Sequence, residues 1–252
     1  MAKPIALQLF TLREQAREDF FGTLQTVADI GYKGVEPAGF FDNDPAEVRK
    51  AVEDMGMTIC SNHGPWLSPD NVNEVIDVLS DLGLDTAVCG FGPDHFTDTE
   101  AIMSTVEQVK KMQSQLKKQG FKLAIHNHFW EFELLDGMFK YDYVMEQCPE
   151  LLSELDVYWA ANFGANDPVK KVRRYADKMP LMHLKDGDLG EDKMMKALGS
   201  GKLDIPAIIG AANNDVLDWI IVELDRCEGD MVEAVRESYA YMTGEGLAKG
   251  NK

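Results

Sequence analysis

Side chains able to hold a metal ion or move a proton fall in short clusters along this chain. They are Asn62-His63, His126-Asn127-His128 followed by Glu131 and Glu133, Glu154 with Asp156, His183-Leu184-Lys185-Asp186, and Glu223-Leu224-Asp225-Arg226. The chain has 5 histidines, and all except His95 lie in these clusters. Residues two apart on a strand share a face. On that rule His126 pairs with His128, Glu154 with Asp156, and His183 with Lys185. Glu223 continues the parity of Ile221, an apolar position expected to point inward. Charged groups gathered in one buried place are costly unless they are paired or bound to metal. Glu, Asp, His and Glu on successive segments are most economically explained by one divalent cation. Three carboxylates with one imidazole suit Mn2+, Mg2+ or Co2+, with Zn2+ admissible, whereas a structural zinc favours thiolates.

These clusters need elements to position them. Short apolar or β-branched runs occupy residues 5–10, 34–36, 58–62, 86–90, 122–128, 153–158, 180–185 and 218–224. Amphipathic stretches fill 14–30, 46–55, 70–82, 98–118, 140–148, 168–178, 205–212 and 231–247. Gly31, Gly56, Gly83 and Gly120 each follow a helical run, as C-terminal glycines do. Asp70 and Asp98 stand at N-cap positions. The strand segments are apolar on both parities, as in a sheet covered on both faces. Strand–helix repeated eight times over residues 1–252 predicts a single-domain α/β protein, a closed parallel (β/α)8 TIM barrel. An open doubly wound sheet is the alternative, and no Gly-x-Gly-x-x-Gly follows an early strand to support a dinucleotide site. In the barrel the active site forms at the C-terminal strand ends. That rule places Gln8, Glu36, His63 and His128 toward substrate, with the clustered acids and His183 beside them. Trp159, Trp130 and Trp66 also fall near strand ends, where a ring can stack on a sugar face. Lys185 could neutralise a developing oxyanion, hold a substrate hydroxyl, or balance Asp186.

Charge narrows the partners. Against 25 Lys+Arg stand 43 Asp+Glu, a formal net charge of -18. A phosphate backbone needs cations to replace its counterions, so nucleic acid and polyanionic membrane surfaces are not expected partners. No run of about 18 apolar residues suggests a membrane span, and the first residues lack a signal-peptide pattern. The cysteines Cys60, Cys89, Cys148 and Cys227 form no Cys-x-x-Cys pair and read as free thiols. A cytoplasmic location is expected. Association of copies is left open.

The sequence resembles the xylose-isomerase-like family of TIM barrels, usually called sugar phosphate isomerases/epimerases. The likeness rests on Leu7-Gln8-Leu9-Phe10-Thr11-Leu12-Arg13, Gly31-Tyr32-Lys33-Gly34-Val35-Glu36, and His126-Asn127-His128-Phe129-Trp130-Glu131-Phe132. It continues through Glu154-Leu155-Asp156-Val157-Tyr158-Trp159, His183-Leu184-Lys185-Asp186 and Val222-Glu223-Leu224-Asp225. The resemblance implies Glu131, Asp156, His183 and Glu223 as metal ligands. Many epimerases of this superfamily carry the first glutamate directly on strand 5. Here His126 stands there, and Glu131 lies past the strand end with Glu133 as its competitor. The resemblance further implies Glu131 and Glu223 as both ligands and acid–base groups, with His126 as the substitute base.

The expected activity is a metal-dependent isomerase or epimerase acting on a ketose or related polyol. It would abstract an α-proton through a metal-stabilised enediolate. A lyase or dehydratase on a keto-sugar, keto-glycoside or keto-inositol starts with the same step. A metal-dependent nuclease on this barrel would need more histidines and a basic surface. A non-catalytic sugar-binding protein on the barrel fold is the option of another class.

Overall fold

The computed structural model describes residues 2–190, 192 and 194–252. Eight parallel strands form its central sheet: β1 (Lys3–Gln8), β2 (Gly34–Glu36), β3 (Thr58–Ile59), β4 (Thr86–Cys89), β5 (Lys122–His126), β6 (Leu152–Asp156), β7 (Leu181–Leu184) and β8 (Trp219–Val222). Their spatial order is β3-β2-β1-β8-β7-β6-β5-β4. This is the order of a (β/α)8 barrel opened between β3 and β4, where no ladder is recorded among the described residues. The last strand, Ala248–Lys249, pairs with the start of β1.

Helices α1 (Phe20–Ile30), α2 (Pro45–Asp54), α3 (Val72–Leu82), α4 (Thr99–Lys118), α5 (Lys140–Gln147), α6 (Pro168–Tyr175), α7 (Ile205–Gly210) and α8 (Met231–Gly244) follow their strands in turn. Strand residues pointing outward, among them Leu7, Val35, Ile125, Leu155, Met182 and Val222, are buried in one cluster with the apolar helix faces. Each such side chain contributes about 1.5–3 kcal/mol on burial. A second, small cluster of Ala6, Val88, Ala124, Leu181 and Ile221 fills the inside of the sheet.

The structure departs from the sequence pattern where a polar side chain competes with the backbone. The expected helix 14–30 is two pieces, Arg13–Glu18 and α1. Between them Asp19 is extended at φ -150°, and its carboxylate accepts from the Gly22 amide at 2.9 Å. Capping there outweighs the helical periodicity. Asp98 caps α4 by accepting from Ala101. Asp70 does not cap α3. That helix starts at Val72, and the Asn71 side chain turns back to accept from Ser68 N at 2.7 Å. Gly31 does end α1, at φ 119°, and a Cβ there would lie 2.5 Å from the Tyr239 hydroxyl.

Strands stop earlier than their apolar runs suggest. β5 ends at His126 because Asn127 replaces the ladder with its side chain. Its amide donates to Asp156 O at 3.1 Å and accepts from Asp156 N at 3.0 Å. β6 ends at Asp156, whose carboxylate accepts from Trp159 N at 2.9 Å and starts the one-turn helix Val157–Ala160.

Candidate active site

The site is a consequence of the two-residue period of strands. Two steps beyond inner Ala6 stands Gln8, beyond Ala124 stands His126, beyond Leu181 stands His183, and beyond Ile221 stands Glu223. Leu152 leads in the same way to Glu154 and then Asp156, and His183 leads to Lys185. The apolar inner layer therefore gives way to a polar one toward the C-terminal strand ends.

His183 sits at its centre. Its Nε2 lies 2.7 Å from Glu36 Oε2, and its Nδ1 lies 2.8 Å from Glu223 Oε2. Gln8 donates its amide to Glu36 at 2.7 Å. His63 makes a short contact with Glu154, and His126 Nδ1 is 3.3 Å from the same carboxylate. Ser61 donates to the other Glu154 oxygen at 3.2 Å. Lys185 Nζ is 2.9 Å from Asp156, 3.0 Å from Glu223 and 3.0 Å from Asp225. It does not balance Asp186, because consecutive residues point to opposite sides. The Asp186 carboxylate instead accepts from Gly187, Gly199, Gly201 and Leu203 amides.

These contacts set the protonation states. Burial pushes Glu36 upward, but His63 and His183 outweigh it and hold the carboxyl at about 2. Burial also opposes the charged forms of His183 and Lys185, yet their carboxylate neighbours raise both. Burial lifts Glu131 to about 8, and burial with Glu36 lifts Glu154 to about 7. Burial lowers His126, helped by His183, and takes His128 down to about 4. The site thus holds ammonium and imidazolium charge beside neutral imidazoles.

One donor atom each from His126, Asp156, His183 and Glu223 lies within 4.8 Å of the others. A second group of the same compactness joins His63, His126, Glu154 and His183. His126 Nδ1, His183 Nε2 and Asp156 Oδ2 are buried and make no hydrogen bond of good geometry, although each lies near a group able to carry charge. Glu36, Glu131, Glu154, Asp156 and Glu223 are all buried carboxyls, with Lys185 the buried lysine among them. Buried carboxylate and imidazole donors gathered in this way fit a divalent cation. The structure brings together Asp156, His183 and Glu223 of the expected ligands and adds His126. Glu131 belongs to neither group. It is buried, accepts from His128 N at 2.9 Å through Oε2, and leaves Oε1 without a partner. Glu133 is exposed and paired with Lys140 at 2.6 Å, so it is turned away.

Above these groups opens a cavity of about 490 Å³ whose walls include His63, Trp66, His126, His128, Lys185 and Glu223. Gln8 and Glu36, expected toward substrate, are fully buried beneath it. Trp159 is buried behind Lys185, whose Nζ is 5.3 Å from the ring centre. Glu154, Asp225 and Phe10 carry no assignment in the sequence reading. The parity of Glu154 with Asp156 and of Asp225 with Glu223 is the signal that finds the two acids. Phe10 follows the end of β1, and nothing local marks its side chain as facing the cavity.

The family described as xylose isomerase-like TIM barrel matches the chain over residues 24–244. An inosose dehydratase from Geobacillus kaustophilus (strain HTA426) is 26% identical over 264 residues, covering 88% of this chain and 84% of that protein. A sugar phosphate isomerase/epimerase from Parabacteroides distasonis ATCC 8503 superposes with a TM-score of 0.79 at 23% identity, over 99% of this chain and 96% of the other. An L-ribulose 3-epimerase superposes with a TM-score of 0.72 at 16% identity, over 98% and 95%. The two superpositions show a shared fold.

Proposed function

The chain belongs to the xylose isomerase-like TIM barrel family, and from that premise we propose that it is a divalent-cation enzyme that enolises a carbohydrate carbonyl compound, isomerising or epimerising it. The observation that carries this reading is the convergence of His126 and Glu223, which line the cavity, with Asp156 and His183, buried beside them. A divalent cation held by these four side chains would supply Lewis-acid stabilisation of negative charge on the substrate's oxygens. The protein groups divide the remaining work. Lys185 keeps its ammonium through its carboxylate partners and offsets negative charge that develops on the substrate at the cavity wall. His128, neutral and lining the cavity but outside the ligand group, is placed to accept the α-proton. Glu131, lifted to about 8, stays protonated at neutral pH and is an acid in reserve beside His128. His63 and Trp66 shape the wall that receives the sugar.

A dehydratase reading is favoured by the likeness to the inosose dehydratase. It begins with the same proton removal and then expels a β-hydroxyl. The experiment is incubation in D2O with Mn2+ and a panel of ketoses and inososes, read by NMR. Deuterium at the α-carbon supports enolisation, and an unsaturated carbonyl product selects the dehydratase. A product that neither carries deuterium nor has lost water overturns both. Metal analysis of the Asp156→Asn protein beside the parent tests the site itself. Equal metal content in the two sinks the assignment of Asp156.

A further inference from the structure

Resting on that enolising reaction, we propose that the substrate is an uncharged keto-glycoside, a sugar ring bearing a ketone and joined to a flat apolar group, rather than a sugar phosphate; simple glycosides then serve as its unreactive binding analogues. The cavity has two chemically distinct regions. Its floor is polar, with His126, Lys185, Glu223 and Asp225. Above it the wall is largely aromatic, with Phe10, Trp66, Phe91 and Trp130. Trp66 is 46% exposed and Phe10 41% exposed, large apolar surfaces left open to the cavity. Isolated exposed apolar residues need no explanation, but apolar surface gathered in one concave place marks a binding site.

The rings are held in place. Trp66 lies tilted over His63 at 4.8 Å between ring centres, and a Cβ on Gly90 would lie 3.0 Å from the indole. Trp130 stacks on His128 at 4.3 Å and donates its indole N–H to Phe91 O at 3.2 Å. Aromatic faces fixed in advance receive a flat apolar group with little ordering cost.

Charge argues against phosphate at this site. Lys185 is the cation among the described residues that line the cavity, and Asp156, Glu223 and Asp225 already surround it within 3.0 Å. Arg13, near the rim, donates to Phe10 O and Asp225 O and lies over the Phe10 ring at 4.3 Å. Away from the proposed metal site, a phosphate would meet Asp225 and the aromatic rings, with no lysine or arginine left unpaired among the described lining residues to receive it. The cavity of about 490 Å³ also falls within the range of drug-sized ligands, with room beyond one sugar ring.

The test is calorimetric titration of the Mn2+-supplemented protein with methyl β-glucoside, phenyl β-glucoside and glucose 6-phosphate. Phenyl β-glucoside is expected to bind roughly three- to tenfold tighter than the methyl compound, the size of one aromatic pair. Glucose 6-phosphate is expected to bind weakest. Trp66→Ala and Phe10→Ala should each weaken phenyl β-glucoside more than methyl β-glucoside, so that the ratio of the two affinities falls toward one. Tightest binding by the phosphate ester, no phenyl advantage, or no binding by any of the three overturns the proposal. The outcome is separate from the deuterium experiment. A protein that prefers the phenyl glycoside yet exchanges no α-proton keeps this inference and loses the enolising reaction.

Discussion

At the scale of single residues, His183 is the pivot, because carboxylates hold both of its nitrogens. Glu36 contacts Nε2 and Glu223 contacts Nδ1. A carboxylate on one nitrogen fixes which nitrogen is left to ligate, and loss of such a partner typically lowers metal affinity by about 10–100-fold. Glu36→Gln is expected to weaken Mn2+ binding by about that factor, measured by calorimetry, while the fold persists. An unchanged affinity would mean that Glu36 does not orient the ring. This role for Glu36 was not legible from its position at a strand end, which only placed it near the site. Whether a strand-end residue faces substrate or lies beneath it depends on how far its strand runs, and β2 stops at Glu36 itself. His63, His126, His183 and Glu223 were legible as a cluster because period-two spacing survives small errors in strand length. Glu131 was harder, because it lies on the irregular turn after β5, where no periodicity applies.

At the scale of elements, the segment after β7 is organised by one carboxylate. The four amides bonded to Asp186 come from Gly187 and from residues 199–203, at 2.8 to 3.2 Å. Asp186→Ala leaves those donors unpaired, and a loss of about 3–5 kcal/mol in urea unfolding is expected. A loss below about 1 kcal/mol would mean that water satisfies them. On α6, Lys171 lies over the Phe139 ring, and burial lowers its pKa from 10.5 to about 8. Between those values the unfolded chain binds more protons, so this group makes stability rise with pH across that window. Lys171→Met should lack that rise, a difference of about 1–2 kcal/mol between pH 7.5 and pH 10 by urea unfolding. Equal pH slopes in the two proteins would refute it. The number and order of strands and helices were legible in the sequence because apolar runs of both kinds persist through the chain. The ends at Asp19 and Asn127 were not, because each is decided by one side-chain hydrogen bond that periodicity does not encode.

At the scale of the whole molecule, two features act together. The net charge of -18 disfavours compaction through self-repulsion, and the sheet carries one seam. Every neighbouring strand pair has a register except β3 and β4. β3 has only 2 paired residues, and near it lies a cavity of about 300 Å³ bordered by Cys60, Ser61, Asp85 and Thr86. Strands β1, β8 and β7 have neighbours on both sides, so their amides open only with the sheet itself. The seam strands have one ladder each, and local opening there breaks fewer bonds. Hydrogen exchange read by mass spectrometry should therefore deuterate the peptides covering 58–62 and 84–90 before those covering 181–185 and 219–223. Raising the salt should slow global opening by screening the acidic surface, while the order of the peptides stays the same. If the β7 and β8 peptides exchange first, or all exchange together, the seam is not the weak line of the barrel.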